Sequence, residues 1–164
     1  MIWLKRLSLA SMAIIAITLL PAKAQTNVVE LRIVGKNCFQ GKIYSAGALR
    51  IRIFEVSKAS ILLRLADDFE AVARRGNNAE IERMNNLRGR LYEAVLRASP
   101  LVKAKRASKD GYVAFVPRHM KVVVFGFTTS GEDDIGVART FVEPNDNGRE
   151  DVVLRYYSAG ECKE

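Results

Sequence analysis

The sequence predicts a mainly β domain: a seven- to eight-stranded antiparallel β-sandwich with an α-helical hairpin inserted at about residues 58–98. Three observations lead there. Short runs alternate apolar and polar residues, as half-buried strands do. Turn residues punctuate those runs about every ten positions, the rhythm of an all-β sandwich. In the middle of the chain the apolar period switches from two to about 3.6, the period of a helix.

Val29, Leu31 and Ile33 alternate with Glu30 and Arg32 in a first strand. The segment from Gly41 to Gly47 holds a short strand and a turn. Leu49, Ile51 and Ile53 alternate with Arg50 and Arg52 in a cleaner strand. From Ser60 to Arg75, the residues Ile61, Leu62, Leu65, Phe69 and Val72 recur at helical spacing, with Gly76 placed as a C-cap. Asn78 is then placed to cap a second helix striped by Ile81, Met84, Leu87, Leu91 and Val95, which stops at Ser99-Pro100. The opposite faces mix acids and bases, so the hairpin reads as an amphipathic cover for a sheet face or as a partner-binding lobe rather than a membrane-surface helix.

Strand patterning resumes with Val102, Ala104 and Arg106 facing opposite to Lys103 and Lys105. Alternating lysines of this kind suit a sheet edge that must not pair with another chain; a basic surface for anionic envelope material is the alternative. Asp110-Gly111 marks a turn before Tyr112 to Val116 and Pro117. Val122 to Phe127 is apolar on both faces apart from Gly126, which places it at a sheet centre. Ile135 to Val142 and Val152 to Tyr157 complete the set, with a turn at Pro144 to Gly148 between them.

The first 24 residues carry a different signal. Lys5 and Arg6 precede an apolar run from Leu7 to Leu20, and Pro21-Ala22-Lys23-Ala24 ends in a small-x-small pattern. These are the three parts of a secretory signal peptide, cut after Ala24. The run is about 14 residues, short of the roughly 20 that span a bilayer. The expected organisation is therefore a cleaved signal over 1–24 and a single domain over 25–164. Without Lys5, Arg6 and Lys23, the 26 basic residues become 23 against 18 acidic ones, and the net charge falls from +8 to +5. That excess is spread along the chain and, with export, argues against nucleic acid. The expected place of work is the periplasm or the cell exterior.

An oxidising compartment gives the two cysteines a reading. Cys38 and Cys162 form no Cys-x-x-Cys motif and have no visible His partner, so a structural disulfide between them is expected. Closing so long a loop contributes up to about 4–5 kcal/mol on chain-entropy bookkeeping.

Gly41-Lys42-Ile43, then Ala46-Gly47-Ala48-Leu49-Arg50-Ile51, then Ala107-Ser108-Lys109-Asp110-Gly111-Tyr112-Val113-Ala114-Phe115-Val116-Pro117 followed by Met120 to Phe127, are together similar to one family. They resemble the carboxypeptidase regulatory-like, or transthyretin-like (prealbumin-like), β-sandwich. The resemblance spans roughly residues 28–157 with the helical stretch skipped. It implies a non-catalytic module tied to folding, adhesion or binding in secreted proteins. An enzymatic branch of that fold, the hydroxyisourate hydrolases, needs several histidines, an arginine and a C-terminal Tyr-Arg-Gly-Ser. Tyr156-Tyr157-Ser158-Ala159-Gly160 echoes that string faintly, and His119 is the sole histidine.

Candidate chemistry is correspondingly thin. A single His119 supports neither a His-rich zinc site nor a Ser-His-Asp arrangement; it reads as a turn residue, with Ser108 and Ser130 its only nominal partners. Glu132-Asp133-Asp134 and Asp146 to Asp151 offer loop oxygens for calcium, but the spacing that ends in a bidentate Glu is missing. Sugar platforms favour Trp, and the mature chain has none, leaving Tyr44, Tyr112, Tyr156 and Tyr157. No catalytic, cofactor or metal residue is assigned. The expected function is a non-enzymatic binding or accessory module that meets a protein or envelope component through its helical hairpin. A small exported hydrolase and a carbohydrate-binding module are the alternatives.

Overall fold

The computed structural model describes residues 27–39, 42–75, 78–128, 135–145 and 147–157. They form a mainly β structure of two sheets with two helices. The strands are β1 (Val28–Phe39), β2 (Lys42–Ser45), β3 (Leu49–Glu55), β4 (Val102–Lys103), β5 (Lys105–Arg106), β6 (Gly111–Pro117), β7 (Val122–Thr128), β8 (Val137–Val142) and β9 (Arg149–Tyr157). Helices α1 (Ser60–Ala73) and α2 (Ile81–Arg97) follow one another between β3 and β4.

The first sheet is organised by the long β1. One of its edges pairs with β9; the other pairs with β6 over residues 28–34 and then with β2 over 36–39, while β5 extends the sheet beyond β6. The second sheet runs β4-β3-β7-β8. Each pairing is antiparallel except that of β1 with β9, which is parallel from Glu30↔Arg149 to Cys38↔Tyr157. The expectation of a wholly antiparallel arrangement is thus corrected at one pair. The cause is the chain's route: β8 and β9 lie in different sheets, so residues 143–148 cross between sheets instead of making a two-strand hairpin. Gly148 turns that crossing with φ 74°, and its carbonyl accepts from the Glu30 amide at 3.0 Å.

Residues 102–106, expected as one strand, divide between the sheets. Val102–Lys103 pairs with β3 and Lys105–Arg106 with β6, so the chain changes sheets at Ala104. Lys103 and Lys105 both lie on sheet edges, the position foreseen for them.

Inward residues of both sheets form one apolar cluster, among them Leu31, Ile33, Ile53, Val116, Val124 and Leu154, each fully shielded from solvent. The opposite face of the second sheet holds a second cluster. There Phe54, Val123, Phe125 and Phe127 meet Leu62 and Ala66 of α1 and Leu91 and Val95 of α2. All seven residues of β7 are buried, because one parity serves each cluster. Burying a Leu or Phe contributes roughly 1.5–3 kcal/mol, so the second cluster is what fastens the helices to the sheet.

The helix ends depart from expectation in two ways. Asn78 does not cap α2; residues 78–80 form a 3-10 turn, and Glu80 precedes the helix without a side-chain cap. Ile61 and Ile81, expected in the apolar stripes, are 74% and 47% exposed. Several expected features lie outside the described residues: the signal segment 1–24, the Gly76 C-cap, Glu132 to Asp134, Asp146, Ser158 to Gly160, and the Cys38–Cys162 bridge, for which Cys162 and the Cys38 side chain are not described.

Candidate functional site

The start of α1 and the end of α2 lie side by side over Phe54 and enclose a groove of about 640 Å³. Its position follows from local backbone signals. A 3-10 turn at Val56–Lys58 ends β3 and hands the chain to α1. At the other side Ala98 takes an extended conformation after closing its amide on Ala94, and Pro100 follows, where a helix cannot continue. The Leu101 amide then donates to the Ile53 carbonyl at 2.8 Å, returning the chain to the sheet. Phe54, Leu62, Ala94, Ala98 and Pro100 give the groove an apolar lining, and Ile61 and Leu101 stand exposed at it.

Its rim charges are largely spent on one another. Lys58 Nζ lies 2.8 Å from Glu55 Oε2, and Ser57 donates its hydroxyl to Glu55 Oε1. The hydrogen bonds from Lys58 and Ser57 hold the Glu55 carboxyl below its ordinary range. Arg97 is engaged by Glu93 at 2.7 Å. Such a groove offers apolar area with no unpaired charge aimed into it. A second depression, of about 560 Å³ between the outer faces of the helices, is lined by Asp68, Glu82, Arg83, Asn86 and Arg90, a mixture of both charge signs.

Residues weighed for chemistry do not converge. His119 sits in the turn after β6 with φ 57°, the turn role expected of it. Ser108 lies before the opposite end of that seven-residue strand, roughly 20 Å away at strand spacing. Ser130 lies outside the described residues. No group of three or more metal-ligating side chains exists among the described residues. Two of the four tyrosines considered for sugar stacking are core residues: Tyr112 accepts the Leu49 amide at 2.7 Å, and Tyr156 is 3% exposed.

Sequence reasoning missed Arg139. This β8 residue faces the helices with only 13% of its side chain exposed, and its guanidinium reaches Asp67 Oδ1 and Glu70 Oε1, each at 2.6 Å. Burial lowers its proton affinity, yet the hydrogen bonds to Asp67 and Glu70 raise the pKa above the ordinary arginine value. It also lies 5.7 Å from the centre of the Phe141 ring. A charged residue between Val137 and Phe141 on one strand parity was the available signal. Among the described residues no helix is long and apolar enough to cross a membrane. Comparison with protein-family models, with curated proteins and with solved structures finds no match to this chain.

Proposed function

We propose that this chain is an exported, non-enzymatic binding module: a β-sandwich of transthyretin-like type carrying its helical hairpin as an insertion, with the groove at the hairpin's base as its contact surface. The partner is a protein or another component of the cell envelope that presents an apolar segment. The reading rests on Ile61, a large aliphatic side chain 74% exposed in the first turn of α1, beside an apolar groove whose rim charges are already paired. Export rests on the basic, apolar and Ala-x-Ala order of residues 1–24.

Ile61→Glu tests it. Ile61 is not a core residue, so the variant keeps the melting temperature of the native chain to within about 2 °C. Native protein immobilised on a support retains a defined partner from an envelope extract, and the variant loses at least about 90% of it, a cost of roughly 1.4 kcal/mol. Equal retention by both forms refutes the groove as the contact surface.

A further inference from the structure

The face of the second sheet that carries the helices is basic on one flank and, among the described residues, has no acid paired with it. Arg50 and Arg52 alternate with the inward Leu49, Ile51 and Ile53, so both point to the helix side. Arg52 stands directly opposite Lys103 in the antiparallel β3–β4 pair. Opposed residues of such a pair hold their Cβ atoms about 4.5–5.5 Å apart, where like charges destabilise the pairing. Arg50 donates to the Tyr92 hydroxyl at 2.6 Å, a neutral partner. Among the described residues the side chains of Arg52 and Lys103 form no hydrogen bond or ion pair, and the Arg52 Nε is sealed from solvent without an acceptor.

The contrast across the same sheet is informative. Arg139, on the far strand, is met by two carboxylates. Arg50, Arg52 and Lys103 are met by none among the described residues. Edge protection accounts for Lys103, because β4 is an edge, but β3 is an interior strand and needs no such guard.

We propose that Arg50, Arg52 and Lys103 form a binding site for a phosphate-type dianion, a phosphate monoester or pyrophosphate group. The planar fork of an arginine matches two oxygens of such a group, and the Lys103 ammonium supplies a point charge opposite it. The bound anion would relieve the repulsion between the facing cations. The site is separate from the apolar groove and stands or falls independently of it.

Melting of the purified protein in sodium pyrophosphate, against sodium chloride at equal ionic strength, tests the site. At a tenfold excess over a Kd of about 1 mM, pyrophosphate raises the melting temperature by roughly 4 °C. Lys103→Gln, at an exposed position, and Arg52→Gln each lose more than half of that rise, whereas Lys109→Gln keeps it. No rise in the native protein, or the same rise in all variants, overturns the proposal. Phosphatidylcholine vesicles doped with phosphatidic acid, a monoester, or with phosphatidylglycerol, a diester, locate the source. Selective binding to the first, competed by pyrophosphate, assigns the group to a lipid headgroup; pyrophosphate binding with no vesicle binding assigns it to a soluble ligand.

Discussion

Arg139→Met removes the polar attachment between β8 and α1 found among the described residues while keeping most of the side-chain volume. Two charge-assisted hydrogen bonds of 2.6 Å are lost, together with a longer one of 3.4 Å to the Leu63 carbonyl and the contact to the Phe141 ring. Breaking a fully buried ion pair costs about 3–5 kcal/mol, and an exposed one about 0–1. Here the cation is buried, with 13% of its side chain exposed, but Asp67 and Glu70 keep 67% and 33% exposure and regain water when released. The cost therefore falls between the limits, at about 2 kcal/mol. With a urea m value of roughly 1.5 kcal/mol/M, the unfolding midpoint falls by about 1.3 M, readable by circular dichroism. The reciprocal change, Asp67→Asn with Glu70→Gln, strands the buried guanidinium and costs at least as much. Added to Arg139→Met, the same pair costs little more, because the interaction is already gone. A midpoint shift below about 0.3 M, or full additivity of the two sets, refutes the view that this cluster fastens α1 to the sheet.

Gly126→Ala places a Cβ against the Tyr156 hydroxyl and 2.5 Å from Leu154 Cδ1, so it destabilises by about 1–3 kcal/mol. Tyr156→Phe, which removes the nearer obstruction, recovers part of that loss in the double variant, and equal melting of single and double variants would contradict the packing. Tyr156→Phe alone leaves stability unchanged or raises it by up to about 1 kcal/mol, because the buried hydroxyl has no hydrogen-bond partner among the described residues. Burial, with a smaller contribution from Tyr112, lifts the Tyr156 phenol well above its ordinary value of 10.0. The folded state therefore keeps the proton longer than the unfolded state. Stability from this group is intact below pH 10.0 and declines as pH rises beyond it. Urea midpoints measured from neutral to strongly alkaline pH fall less steeply for Tyr156→Phe than for the native chain; parallel curves would rule out this phenol as the cause.

What the sequence discloses divides along a physical line. Val122–Phe127 is legible as a central strand because both of its parities are apolar, and both are buried. The two helices are legible from their period: Leu62 and Val72 of α1 and Leu87, Leu91 and Val95 of α2 are buried as the stripes predict, and the departures lie in the first turns, at Ile61 and Ile81. In α1 the small Ala66 is a core residue, whereas the larger Ile61 faces solvent. Strand direction leaves no mark on an alternating pattern, so the parallel β1–β9 pair is invisible in it. The sheet change at Ala104 is equally silent, since the alternation from Val102 to Arg106 continues unbroken through it. The groove draws on the end of β3, the start of α1, the end of α2 and the loop before β4, so only the packed chain assembles it.

The helix-bearing sheet face concentrates what periodicity hides. Arg50, Arg52 and Arg139 alternate with inward apolar residues, and in a strand that pattern ordinarily means a solvated face. Here the helices cover the face, and the three arginines acquire different meanings. Arg139 lies on the α1 flank, where Asp67 and Glu70 close the charge and make it an attachment. Arg50 and Arg52 lie toward α2 and β4, where Tyr92 supplies a hydroxyl and no carboxylate among the described residues supplies a charge. The apolar cluster beneath the helices holds them whichever flank is considered. One flank is therefore electrostatically closed and structural, and the other holds, by strand pairing, the cations proposed above to take an anion.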